Sequence, residues 1–308
     1  MSKSRTAKRM QNATGMTYRQ SYQSELDSRS YPRVAVPDPH SRSQAHFEAL
    51  VAHTLADELR DRQLGAVFGV TGVDLRAQTP ILILQPTMAS RAISLLLPHY
   101  DGDYGGIRGI PGARPVLAAG RLLIHDLLGE GSIELAMADG TLPPRPSARP
   151  DMRADWRRRT PTTDEVEERS WQESKRNPSP GKDAVEAALD ARDLIFSRLL
   201  RRPRIVNRVA GGHGHVNSYT HGSDLVFEWC CGVSHREMRD LLDQSGLIHR
   251  VTGITPWQYI GDDPERGTVA IDRHGGSHRE PLLTLRSGQI CPTEAADVRR
   301  ERMSSWYR

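Results

Sequence analysis

The sequence predicts an α+β protein made of two small mixed-sheet domains, joined by a Pro/Arg-rich linker and preceded by a basic helical arm. Three observations carry this. Segments with apolar residues at helical spacing alternate with short apolar runs of strand length. Residues 142–182 hold seven of the twenty prolines and almost no apolar side chain besides Trp156, Val166 and Trp171. The first residues pair Lys3, Arg5, Lys8 and Arg9 with two short helical patterns. The expected organisation is therefore an arm and polar linker over 1–42, a first domain over 43–141, the linker over 142–182 and a second domain over 183–308.

In the arm, the pattern predicts helices over 5–11 and 17–26, with Asn12 to Gly15 as the turn and Thr17 as N-cap. Met10, Met16, Tyr18, Tyr22 and Leu26 are expected to form one apolar stripe ringed by Lys3, Arg5, Lys8, Arg9 and Arg19. Such an arm either packs on the body of the protein or meets DNA phosphates. The first domain opens with a helix over 43–64, where Phe47, Leu50, Val51, Leu55 and Leu59 share a face and Gly65 ends it. Strands are expected over 66–70 and 80–84, a helix over 87–97, one or two strands within 116–124, and a half-buried strand through Ile133, Leu135 and Met137.

The linker is too poor in core material to offset its ordering entropy, apart from one charged helix around Asp164 to Lys175. The second domain begins with a helix over 183–200. Asp183 and Glu186 give it a capping-box-like start; a strand follows over 225–230, then a helix opened by Ser234 and Glu237, and three strands near Leu247, Thr268 and Leu282. No repeat links the halves beyond this shared order of helix, strands, helix and strands.

Of the 308 residues, 37% are hydrophobic and 26% charged, which excludes collagen-like, fully disordered and membrane-spanning chains. The formal net charge is +4, and all but four of the 42 basic residues are arginine. Arginine suits bidentate phosphate recognition, yet the 38 Asp and Glu residues leave only a small cationic excess. Cys230, Cys231 and Cys291 are too few for a disulfide framework. With no apolar run long enough for a membrane span or a signal peptide, a cytoplasmic location and no membrane partner are expected.

Arg198, Arg201, Arg202, Arg204 and Arg208 cluster at the end of a helix and just beyond it. Together with Lys8 and Arg9 of the arm, and with Arg108 in the glycine-rich loop His99 to Gly112, they are the candidate anion-binding residues, for nucleic acid or an acidic protein partner. The alternative for the cluster is structural: arginines that cap carbonyls or pair with carboxylates. A second constellation is His213, His215, His221, Cys230 and His235, whose density suits tetrahedral zinc although its spacing fits no zinc finger. Cys230 or Cys231 with His235 is the thiol–imidazole candidate for nucleophilic catalysis. No cofactor is predicted, with zinc as the alternative.

The run from Ala7 to Tyr22, AKRMQNATGMTYRQSY, resembles a short N-terminal segment found on assorted proteins of actinobacterial plasmids, phages and integrative elements. The resemblance covers fewer than thirty residues, accompanies unrelated downstream domains, and implies a genomic setting without a reaction. The expectation is a non-enzymatic accessory protein of such an element, contacting nucleic acid or a partner protein through arginine patches. The alternatives are a metal- or thiol-dependent hydrolase or nuclease using the His213 to His235 region, and a phage structural or assembly component.

Overall fold

The computed structural model describes residues 4–27, 36–58, 66–75, 79–101, 106–118, 121–145, 165–175, 182–210, 216–221, 224–230, 232–260, 267–274 and 281–288. The chain is α+β, with two five-stranded mixed sheets.

The arm is a hairpin of α1 (Arg5–Thr14) and α2 (Tyr18–Asp27). Local chemistry sets its ends. Ser4 Oγ accepts the Ala7 N–H, while Gly15 closes α1 at φ 86° and donates its N–H to the Gln11 carbonyl. Thr17 and Gln20 then form a capping box at the start of α2, each side chain accepting the other's backbone N–H.

The first half runs α3 (Arg42–Glu58), β1 (Val70–Asp74), β2 (Ile81–Leu84), α4 (Ala89–Leu96), a hairpin of β3 (His99–Asp101) and β4 (Gly106–Arg108), then β5 (Ala113–Ala118), β6 (Arg121–Asp126) and β7 (Ser132–Met137). The strand expected over 66–70 is instead a 3-10 turn over Val67–Gly69. Phe68 at φ 62° and Gly69 at φ 66° turn the chain, so extension starts only at Val70. The glycine-rich loop forms the β3–β4 hairpin and its return. Gly109, at φ 78°, lies where a Cβ would be 2.4 Å from the Leu97 carbonyl oxygen, so this glycine is required by packing.

In the linker, α5 (Glu165–Lys175) is the charged helix the sequence suggested. Its Glu167 is buried and clasps Arg114 of β5 through two bonds of 2.7 Å, while also accepting the Gly112 N–H. The second half runs α6 (Lys182–Leu200), α7 (Pro203–Val206), β8 (Val216–His221), β9 (Asp224–Trp229), α8 (His235–Gln244), β10 (Ile254–Ile260), β11 (Thr268–Arg273) and β12 (Pro281–Arg286). No strand forms at Leu247. Gly246 turns the chain at φ 87°, and the Leu247 N–H returns to the Leu242 carbonyl as part of the α8 cap, so the strand begins seven residues later at Ile254.

The halves repeat one topology. In each, a long helix precedes two antiparallel strands, a shorter helix follows, and three more strands complete the sheet. The spatial order is β1-β2-β7-β6-β5 in one and β8-β9-β12-β11-β10 in the other. The second and fifth strands of each set pair in parallel, and all other neighbours are antiparallel. Even the outer edges match: the third residue of β5 is Pro115 and the third of β10 is Pro256, the latter inside a bulge. A proline on an edge strand removes a ladder donor and blunts the edge against further pairing.

The long helices α3 and α6 pack on each other, and one cluster of buried apolar side chains runs through both halves. Phe68 meets Phe227 across the halves in an edge-to-face pair, centroids 5.8 Å apart. The α3–α6 seam is polar as well as apolar. Glu48, fully buried, receives Arg201 through bonds of 2.6 and 2.7 Å, Ser197 at 2.6 Å and Gln44 at 2.7 Å. His46 Nδ1 lies 2.8 Å from Asp193 Oδ2. Burial alone would raise the Asp193 pKa. The hydrogen bond from His46 and the charge of Arg192 outweigh it and hold the carboxyl below its usual range.

Candidate nucleic-acid interface

Arg198 of α6 and Arg201 and Arg202 just beyond it are part of the core rather than of an anion-binding surface, which corrects the first sequence expectation for three of the five. Arg198 grips Asp38 with two bonds of 2.7 Å and donates to the carbonyls of Leu247 and His249. Arg201 is spent on Glu48 and the Pro37 carbonyl. Arg202 is wholly buried and donates to Ser245 Oγ, the Ser245 carbonyl and the Arg198 carbonyl. Burial, with the Arg198 charge second, pushes its pKa down to about 9, which leaves it protonated at neutral pH. These guanidinium groups cap the C-terminal end of α8 and pin residues 37–38. A phosphate would have to displace the exposed Asp38 from Arg198, the buried Glu48 from Arg201 or the buried Ser245 from Arg202.

Arg204 and Arg208 behave differently, because α7 turns the chain outward. Both are exposed, and Arg208 stands 3.8 Å from Glu237. The arm packs on α7 and on β1. Ala7, Met10, Ala13 and Met16 are buried, and Met10, Ala13 and Met16 join the apolar core of the body. A Cβ at Gly15 would lie 3.3 Å from Gly72 Cα and 3.4 Å from Arg204 Cδ, so the α1 C-cap rests directly on the Arg204 stem and on β1. The apolar stripe expected along the arm is therefore split. Met10 and Met16 face the body, whereas Tyr22 and Leu26 remain 44% and 51% exposed.

This docking leaves Arg5, Lys8 and Arg9 of α1, and Arg19 of α2, on the outside. The described part of the arm has one acid with a placed side chain, Glu25, which is buried and accepts Ser4 Oγ at 2.6 Å. Arg204 thus lies under the C-cap of the helix that carries Lys8 and Arg9, although some 195 residues separate them in sequence. Tyr18 and Tyr22 stack along α2, centroids 6.1 Å apart and rings within 15° of parallel, and Tyr18 Oη accepts the Ser4 N–H at the start of α1.

The remaining candidates are scattered. Arg108 closes β4 and is half-buried. His235 is 1% exposed, with Nδ1 2.8 Å from Ser287 Oγ, so its ring is committed to the core. Cys230 is half-buried just after β9, and His221 ends β8. His213, His215 and Cys231 lie outside the described residues. Among the described residues, no group of three His, Cys, Asp or Glu side chains is placed to hold a metal ion. No described helix is long and apolar enough to cross a membrane.

Two other surfaces carry exposed apolar groups. The outer face of the first sheet, with Ile81, Ile83, Glu134 and Ala136 half-buried, carries a groove of about 400 Å³ roofed by Leu142 and Pro143 and bridged by the Arg121–Glu134 ion pair. On the second half, Tyr259 is 43% exposed beneath the Arg236 and Arg239 guanidinium groups. There Glu237, Asp240 and Asp243 cancel the arginines of α8, so that patch has no cationic surplus.

A scan against protein-family models finds no match for this chain, and searches of curated proteins and of solved structures find none either.

Proposed function

We propose that this protein is a non-enzymatic accessory protein that binds nucleic acid through the outer face of its docked N-terminal arm together with α7. The observation that carries the reading is the packing of α1 on α7, which sets Arg204 beside the Gly15 cap and leaves Arg5, Lys8, Arg9 and Arg19 exposed on one small helical hairpin. Cations held on a rigid scaffold neutralise phosphates and release counterions, and this gives affinity with little base selectivity. The actinobacterial mobile-element setting implied by the resemblance of Ala7 to Tyr22 is part of the same proposal.

Binding of the full chain to a labelled oligonucleotide, followed by anisotropy, tests this. Affinity is expected to fall steeply between about 50 and 200 mM salt, and Arg9→Ala and Arg204→Ala each to lower the slope of log K against log salt by about one. An affinity indifferent to salt and to both substitutions rejects the proposal. A second reading, docking of a partner protein, rests on the groove over the first sheet. It predicts instead that Ile83→Arg, and not Arg9→Ala, abolishes association.

A further inference from the structure

We infer that the nucleic acid taken by the arm is single-stranded, with a base stacking on the exposed Tyr22 of α2; this rests on the polyanion reading above. Tyr18, Tyr22 and Leu26 fall at i, i+4 and i+8 of α2, so they form one line along the helix. A hairpin tucked against a protein ordinarily buries such a line. Here the buried face is made of Ala7, Met10, Ala13 and Met16, and also Ser21 and Ser24, while Tyr22 and Leu26 are turned to solvent. Tyr22 is exposed, and the half-buried Tyr18 beside it is tied to α1. Tyr18 Oη accepts the Ser4 N–H and its ring stacks near-parallel beside Tyr22, which leaves the Tyr22 ring next to an anchored aromatic neighbour.

The charges around the ridge complete the argument. Arg19 follows Tyr18 on the same helix, and the Ser4 contact places the α1 start, with Arg5 at its first position, beside the Tyr18 ring. Ser4 Oγ also holds Glu25, which removes the neighbouring carboxylate from the outer face. Aromatic faces flanked by unpaired cations are the recurring means of holding a single strand: bases stack, phosphates meet the cations, and sequence matters little. A duplex hides its base faces within the stack and would leave Tyr22 and Leu26 uncovered, so the apolar ridge favours the open strand.

The test compares one labelled oligothymidylate of about 15 nucleotides, free and annealed to its complement, on the full chain at fixed low salt. The single strand is expected to bind at least about tenfold more tightly than the duplex. Tyr22→Leu, which keeps an apolar side chain at an exposed position, is expected to weaken single-strand binding by about 5- to 100-fold and to leave the melting temperature unchanged, whereas Tyr22→Trp restores binding. Duplex affinity equal to or above that of the single strand, or unchanged affinity in Tyr22→Leu, overturns the inference. If salt dependence and the Arg9→Ala effect persist in that case, the polyanion reading stands without it; if neither form binds, both fall together.

Discussion

Arginines of the same chain meet opposite fates on α6 and on the arm. At the end of α6, Arg198, Arg201 and Arg202 turn inward and saturate Asp38, Glu48 and the carbonyls around Ser245 and Leu247. On α1 and α7, Arg5, Arg9 and Arg204 stay in water. In sequence Arg202 and Arg204 are separated only by Pro203, which starts α7 and redirects the chain. Whether a guanidinium serves the core or a ligand is thus decided by which carboxylates and carbonyls the fold brings within reach, since a buried cation persists only where it is paired and hydrogen-bonded.

Breaking the inward set has the largest expected effect. Arg201→Ala strands the buried Glu48 carboxylate and is expected to cost about 3–5 kcal/mol, read as a fall in the urea midpoint. Replacing Arg201 and Glu48 together with methionine is expected to recover most of that loss, because no orphaned charge remains. If the single and double variants are equally unstable, the seam is held by packing rather than by its ion pair.

A smaller effect belongs to the Asp193 end of the same seam. Its folded pKa lies below the unfolded value of about 3.9, so its stabilising contribution is fully present above that pH and is lost as the pH falls through the folded pKa. The stability difference between the wild-type chain and Asp193→Asn is therefore expected to narrow on acidification below about pH 4. Denaturation curves with a constant difference across that range would assign the pair no linkage to pH. The smallest effect is on the outward set: Lys8→Ala is expected to leave the melting temperature within about 2 °C of wild type while weakening polyanion binding.

The two halves offer a second contrast. Their strand orders coincide, yet the outer face of the second sheet is closed, with Val226, Ala270 and Thr284 at 1 to 3% exposure, whereas the equivalent face of the first carries the groove. A shared topology therefore leaves two surfaces of different use. The sequence showed the order of elements but not this repetition, because strand order and parallel pairing arise from contacts distant along the chain. It also missed β8, whose residues VNSYTH lack an apolar run; they become a strand by pairing with β9 and lying beside α3.

Features with local causes were legible in the sequence. The Thr17–Gln20 box, the Ser234 cap, the helical spacing in α3 and the charged α5 each depend on residues within a turn or two, so composition and spacing suffice. By itself the sequence thus determined an α+β chain with a basic helical hairpin at its start. Only the tertiary structure decided that three arginines at and just beyond the end of α6 are core residues, that Arg204 packs against the arm, and that Tyr22 looks outward. The physical reason is that burial and pairing depend on partners as much as 164 positions away, such as the Pro37 carbonyl for Arg201, and no local pattern encodes them.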